Sequence, residues 1–383
     1  MTTSALGPLA GRELPVFDLH THPSLKTCMF GHKFWKKHNP PGFMFPPCMR
    51  TDIDALIDGG VKTILASVYV VEKTILQDAR PLNFLRHLLP RVDRILAEEP
   101  DDMAREFINS FKEQVDETVK RKGDVVEIGY SYSDYQRITA AGKVCILHSM
   151  EGAHHLNGKL ENLEDFFKRG VCHMILPHFY PNEACGCVDP IPDNLFLRKL
   201  GMMNYKRDPD TGLTDFGCEL ADRMWDLGMI VDVTHATPRC RKEVYARALA
   251  HEKKRPVIMS HVGVYALAPL AMNPTEEDIR AIAETGGVVG IIFMDYWLKQ
   301  PPEHVCADII LQTIDHLIAH GGEDCVAFGS DFDGFTSVPK DFKSPRDYNR
   351  LRELLKKRYT PTQVEKFLSG NADRVLREGW GKQ

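Results

Sequence analysis

The sequence has no glycine-rich phosphate loop, no low-complexity tract and no run near the roughly 18 apolar residues of a membrane-spanning helix. It also has no excess of positive charge: 48 Lys and Arg stand against 53 Asp and Glu, a net charge of −5. P-loop nucleotide chemistry, a helical membrane anchor and broad electrostatic binding to nucleic acid or anionic lipid are thereby disfavoured. Residues Met1–Arg12 show no basic segment followed by an apolar stretch, so the sequence as given reads as cytoplasmic. Ten cysteines are present, but they lack the spacing of a metal knuckle. Cys145, Cys172 and Cys325 fall in apolar, strand-like runs and read as buried thiols. Cys185-x-Cys187 is one residue short of C-x-x-C and has no second pair, so it reads as incidental. With 383 residues, 43% of them hydrophobic, the chain can bury a core without disulfide or metal. A metal site found here is therefore expected to be functional.

Eight short apolar, β-branched runs punctuate the chain: Val16–His22, Val61–Val70, Val144–Gly152, Cys172–Tyr180, Met229–Ala236, Pro256–Val262, Gly287–Tyr296 and Cys325–Asp331. Helical segments separate most of them. Thr214-Asp215 can cap a helix with Leu220, Met224 and Leu227 on its apolar face, and Gly228 stops it. Pro238 opens another helix, to about His251, and Asn273-Pro274-Thr275-Glu276 opens a third, ending near Thr285. Such alternation predicts a parallel sheet covered on both faces, and eight units predict a closed (β/α)8 TIM barrel in one domain, residues 1–383. Two stretches exceed the simple unit. Residues 23–50 lack a regular period and read as a long loop over the barrel mouth. Residues 71–142 read as a helical insertion, Pro81–Ala97 then Asp101–Arg121.

The strand ends carry the chemistry. They read Asp18-Leu19-His20-Thr21-His22, Ser149-Met150-Glu151, Leu176-Pro177-His178, Val233-Thr234-His235, Met259-Ser260-His261 and Gly329-Ser330-Asp331. In a parallel barrel all C-terminal strand ends open on one face. Imidazole and carboxylate are ligands of Zn, Fe, Mn and Co. His20, His22, Glu151, His235 and His261 can hold one or two divalent ions, zinc foremost with Fe or Mn as alternatives, and Asp331 can carry protons. His32, His38, His154, His155, His173, His304 and His320 read as surface, loop or wrong-face histidines. The Trp and Met residues on helices read as packing.

These motifs, with Met150-Glu151-Gly152-Ala153-His154, Phe328-Gly329-Ser330-Asp331-Phe332-Asp333-Gly334 and Gly370-Asn371-Ala372-Asp373-Arg374, resemble those of the membrane (renal) dipeptidase family of the amidohydrolase superfamily, over residues 16 to 380. The resemblance implies that Glu151 bridges two metals, with His20 and His22 on one and His235 and His261 on the other. It implies that His178 polarises the scissile carbonyl and stabilises the oxyanion, and that Asp331 shuttles the proton. Two departures stand out. His22 replaces the aspartate of the family's first-strand His-x-Asp. Met272 stands before Asn273 where the family has a carboxylate-binding arginine. His178, Met272, Asn273 and Tyr296 are expected to bind substrate; Lys26, Lys33, Lys36 and Lys37 could compensate for the missing guanidinium. The expected function is metal-dependent hydrolysis of an amide bond in a small dipeptide-like substrate, one that is capped, modified or cyclic. The rivals are a non-hydrolytic metal enzyme (oxidation, elimination or isomerisation) and a metal-retaining binding protein without turnover. Expected partners are a small-molecule substrate and a second copy of the chain, with no nucleic acid and no membrane.

Overall fold

The computed structural model describes residues 14–41, 47–78, 90–190, 205, 207–299, 307–334, 337–339 and 341–381. Met1–Arg12, most of the helix expected from Pro81, and His304 lie outside the described residues. The parallel strands are β1 (Val16–Thr21), β2 (Val61–Val68), β3 (Val126–Gly129), β4 (Val144–Glu151), β5 (Val171–Ile175), β6 (Ile230–Asp232), β7 (Val257–Val262), β8 (Val289–Ile291) and β9 (Val326–Phe328). Their order is β2-β1-β9-β8-β7-β6-β5-β4-β3, and a β2–β4 ladder closes the ring. Eight strands form the barrel, as the alternation predicts. The ninth, β3, pairs only with the first half of β4, from Val126 against Val144 to Gly129 against Leu147. β5 takes the second half of β4, starting at His148. A run as short as Val126–Gly129, between two helices, left no periodic signal in the sequence.

Apolar side chains of the strands, Phe17, Leu19, Leu65, Cys145, Leu147, Cys172, Ile230, Ile258 and Ala327, form one cluster with Tyr135, Ile138, Val375, Leu376 and Trp380 from the helices that close the barrel floor. A larger cluster lies between the strands and the surrounding helices. The expected helix signals act as read. Thr214 accepts from Gly217 N at the start of Asp215–Leu227, and Gly228 ends that helix in the left-handed region. Thr237 caps Pro238–Ala250, and Thr275 with Asp278 forms a capping box on Glu276–Glu284. Between 71 and 142 the described residues hold helices Lys73–Asp78, Pro90–Ala97, Pro100–Lys122 and Tyr132–Ala140, as well as β3. Residues 23–50 are not all irregular: Pro23–Phe30 is a helix that opens with proline at its first position. Among the described residues no helix is long and apolar enough to cross a membrane.

Three parallel ladders carry a β-bulge. In β1, Asp18 to Thr21 spans only Ile64 to Ala66 of β2. In β7, Met259 to Val262 spans only Val289 to Ile291 of β8. In β5, Val171 to His173 faces His148 to Ser149. An extra residue shifts the in–out alternation of a strand. That is how Leu19 packs into the interior cluster while His20 and His22 face the barrel mouth. The strands are also close at this level: a Cβ on Gly290 would lie 1.8 Å from the Ser260 carbonyl oxygen. Gly290→Ala is therefore expected to lower stability by about 1–3 kcal/mol, the usual cost of overpacking. Chemical denaturation measures it, and an unchanged midpoint would show that β7 and β8 can part at this point.

Candidate metal centre at the barrel mouth

Glu151 ends β4 and is the hub of the site. Five imidazole Nε2 atoms surround its carboxylate: His235 at 3.3 Å, His22 and His261 at 3.4 Å, His20 at 3.5 Å and His178 at 3.7 Å. His20 and His22 bring their Nε2 atoms to 2.8 Å of each other, and His235 and His261 bring theirs to 3.3 Å. Asp331 Oδ1 stands 3.2 Å from His22 Nε2 and 3.7 Å from His20 Nε2. All seven side chains belong to buried residues. The strand-end reading therefore brings six strand ends to one point. His235 and Asp331 pay for it with left-handed backbones, φ 68° and 56°, a cost of order 1–3 kcal/mol each. Gly334 makes room for Asp331, because a Cβ there would lie 2.2 Å from its Oδ1.

The donor set fits divalent cations. Two facing imidazole nitrogens cannot both carry a proton at 2.8 Å; a proton or a cation must lie between them. Burial, with His261 and His22 beside it, holds His20 well below the usual histidine range. Burial, with His235 and His22 nearby, does the same to His261, and burial lowers His235 to about 4. These three rings keep the lone pairs a metal needs. His22 differs: burial pushes it down, but Glu151 and Asp331 raise it overall. Glu151 itself is pushed up by burial, against the pull of His178 and His22. A cation placed between these groups satisfies both carboxylates at once. Triplets of candidate donors within 4.8 Å are His20–Glu151–His261, His20–His22–Asp331 and Glu151–His178–His235. Asp331 is thus as near the His20–His22 pair as a ligand would be.

Several residues that the sequence reading missed hold this centre in place. Glu72, just past β2, accepts from His178 Nδ1 at 2.9 Å, Phe179 N at 3.0 Å and Tyr69 OH at 2.5 Å. Burial would raise its pKa, but His178, by charge and hydrogen bond, brings it well below the carboxylate range. Asp18 accepts from Ser330 N at 2.8 Å, His20 N at 3.2 Å and Tyr348 OH at 2.9 Å. Asp232 accepts from Thr234 N at 2.7 Å and Ser260 N at 3.1 Å. Each carboxylate clamps the backbone beside a histidine. The only sequence signal for Asp18 and Asp232 is an Asp two or three residues before a His, and Glu72 has none. The aromatic wall was also missed. Phe179 stacks on His178 with centroids 3.7 Å apart, Trp297 lies 5.7 Å from His235, and Tyr69 lies 4.4 Å from His178. A cavity of about 200 Å³ adjoins Glu72, lined by Val70, Val71, Lys73, His154 and Tyr180 among others.

Some expectations need correction. His173 is not on a wrong face: it is fully buried and sits 2.9 Å from Asp232 Oδ2. His155 is buried and accepts from Val70 N at 2.9 Å, and His154 Nε2 lies 2.9 Å from Val70 O, so both pin the end of β2. Trp297 packs against the site rather than only against the core. Asn273 is spent on backbone: it accepts from Gly263 N at 2.9 Å and donates to Ala268 O at 2.9 Å and Trp297 O at 2.8 Å. That bracing leaves no donor for a substrate. Met272 is fully buried in the apolar cluster. The buried Arg241 donates to the carbonyls of Ala271, at 2.6 Å, and Asn273, at 3.4 Å, on either side of it. Tyr296 is half-buried against the same cluster. Lys33, Lys36 and Lys37 are exposed, whereas Lys26 is buried.

A parallel (β/α)8 barrel with a histidine–carboxylate cluster at its C-terminal mouth defines the class, a TIM-barrel protein with a candidate metal centre on its functional face. The chain belongs to the membrane dipeptidase family, peptidase family M19, whose sequence signature matches residues 11–379. Dipeptidase tcpJ of Claviceps purpurea is 27% identical over 256 residues; the match takes in 67% of this chain and 56%, about half, of that protein. Among solved structures, dipeptidase AC, a metallopeptidase of family M19, superposes with a TM-score of 0.75 at 20% identity, covering 96% of this chain and 99% of that one. A Rhodobacter sphaeroides metallopeptidase liganded with a phosphinate mimic of the dipeptide L-Ala-D-Ala gives the same values. The probable dipeptidase PvdM of Pseudomonas aeruginosa gives 0.74 at 18% identity, covering 97% of this chain and 96% of that one.

Purified protein is expected to carry about one to two divalent ions per chain, and Glu151→Gln to lose most of them. Affinity should fall on acidification, because protons compete at His22 and Glu151, whose pKa values are both raised. Elemental analysis across pH tests both. Full metal content in Glu151→Gln would remove the carboxylate from the ligand set.

Proposed function

We propose that this protein is a metal-dependent hydrolase that cleaves an amide bond in a small dipeptide-like substrate. The observation that carries the proposal is the Glu151 carboxylate ringed by five imidazole nitrogens at 3.3–3.7 Å, at the mouth of a barrel of the membrane dipeptidase family. His20 and His22 would hold one ion, zinc foremost, His235 and His261 another, with Glu151 shared between them. A divalent ion in such a site lowers the pKa of water and polarises a carbonyl oxygen.

The remaining work falls to the chain's own side chains. His178 donates from Nδ1 to Glu72 and turns Nε2 toward the centre. Nε2 is then the ring atom placed to face a developing oxyanion. Asp331 faces the centre from the opposite strand end and would carry a proton to the leaving amine. Tyr69, Phe179 and Trp297 exclude water from around the rings. The cavity beside Glu72 offers apolar walls, and Lys73 at its edge, to a substrate side chain. Burial of Met272 removes the position at which the family places a carboxylate-gripping guanidinium, and Asn273 is occupied. A free C-terminal carboxylate thus loses a contact typically worth about 1.5–3 kcal/mol, so capped or cyclic substrates are favoured over free dipeptides.

Asp331→Asn is expected to retain metal and fold while kcat drops by at least about 10²-fold; metal loss would instead make Asp331 a ligand. Glu72→Gln should lower turnover about 10–100-fold at unchanged metal content, the usual effect of losing the partner behind an active-site histidine. A panel of free dipeptides against their amide and ester caps tests the substrate class. Faster cleavage of the free forms would sink the argument from Met272. No turnover of either in metal-loaded protein would favour non-hydrolytic chemistry, for which the extra imidazole of His22 is the structural argument.

A further inference from the structure

Away from Glu151, on the outer helices, a second set of ligand-type side chains converges. Glu276 opens the helix Glu276–Glu284, and His316 and His320 lie one turn apart on the helix Ala307–Gly321. One ligand atom from each lies within 4.8 Å of the other two. His316 Nε2 is 3.7 Å from Glu276 Oε1, and the two imidazole rings are 4.5 Å apart. We propose that Glu276, His316 and His320 form a second divalent-metal site, suited to Zn²⁺, that clips the helix after β7 to the helix before β9. It shares no residue with the Glu151 centre and stands independently of the function proposed there.

Four features carry this. Histidines at i and i+4 on a helix share one face, and a carboxylate from a packed neighbour completes a three-ligand set of zinc type. Bonds of about 2.0–2.1 Å at tetrahedral angles place donors about 3.3 Å apart, close to the 3.7 Å between His316 and Glu276. His316 Nε2 is buried and makes no hydrogen bond, so the nitrogen that faces Glu276 lacks a satisfied partner. The helix cap does not use Glu276, because Thr275 and Asp278 form it.

One group opposes the site. Arg280, a turn beyond Glu276, brings Nη1 to 3.5 Å of His320 Nδ1. Its side chain belongs to an exposed residue and can swing into solvent. Its charge weakens cation binding in the meantime. Three protein ligands leave a position for water, and both helices lie outside the barrel, so the expected consequence is stability rather than turnover.

The test uses the full chain with its Glu151 centre already loaded, titrated with ZnCl₂ against a chromophoric chelator. Wild type should take up about one further equivalent. Glu276→Gln and His320→Gln should each weaken that uptake at least about tenfold, with turnover unchanged. Arg280→Gln should tighten it roughly three- to tenfold by removing a nearby cation. Zinc should raise the melting temperature of wild type more than that of either ligand variant. Copper(II) placed in the same site should show two nitrogen ligands by electron paramagnetic resonance. The proposal fails if wild type binds no further zinc. It fails equally if the further equivalent persists in both ligand variants, because the ion then sits elsewhere.

Discussion

The structure turns on one constraint: Glu151 is a carboxylate buried at the mouth of a closed barrel. A buried anion is tolerated only when charge and hydrogen bonds compensate it. Here the compensation comes from five imidazoles on four strand ends, arranged as two facing nitrogen pairs and a fifth ring. Because those nitrogens are crowded against each other as well as against the carboxylate, a proton or a cation among them relieves the crowding. The rest of the fold serves this geometry. β-bulges in β1 and β7 fall at the residues that must face inward, and left-handed backbones at His235 and Asp331 turn two more toward the same point.

Around that centre lies a shell of carboxylates with a common task. Asp18 joins β1 to β9 through Ser330, Asp232 joins β6 to β7 through Ser260, and Glu72 joins β2 to the segment after β5 through Phe179. Each accepts backbone N–H groups that irregular strand ends would otherwise leave unpaired. The same carboxylates orient or neighbour a histidine. Strand closure and ring orientation are thus fixed by the same hydrogen bonds, which is why loosening one should be felt in the chemistry before it is felt in the fold. Asp333 extends the pattern outward: it accepts from Arg50 N at 2.6 Å and Thr51 N at 2.8 Å, tying the segment after β1 to the end of β9.

The loop after β7 shows how a lost contact is replaced by packing. Met272 fills an apolar space, Arg241 holds the flanking carbonyls from below, and Asn273 ties the loop to Gly263 and Trp297. A guanidinium at position 272 would have to be buried beside Arg241. The loop is therefore built as a wall, and Trp297, held against it, lies over His235 and His261.

The sequence by itself determined the barrel and the identity of its reactive ends. Eight apolar runs alternating with capped helices allow few other folds, and a His, Glu or Asp closing each of six runs is visible without coordinates. Position in a strand is a local property, so a linear reading reaches it. What only the tertiary structure decided is which neighbours these residues meet. Glu72 lies two residues past the run that the sequence marked, and nothing local says that it faces His178 across the barrel. His173, His154 and His155 look like strays because their partners, Asp232 and the backbone of Val70, are distant in sequence. Asn273 looks like a binding residue until its three hydrogen bonds are counted. β3 is too short to carry a period, and the bulges that reorient β1 and β7 arise from register against a neighbouring strand, which exists only once the ring has closed.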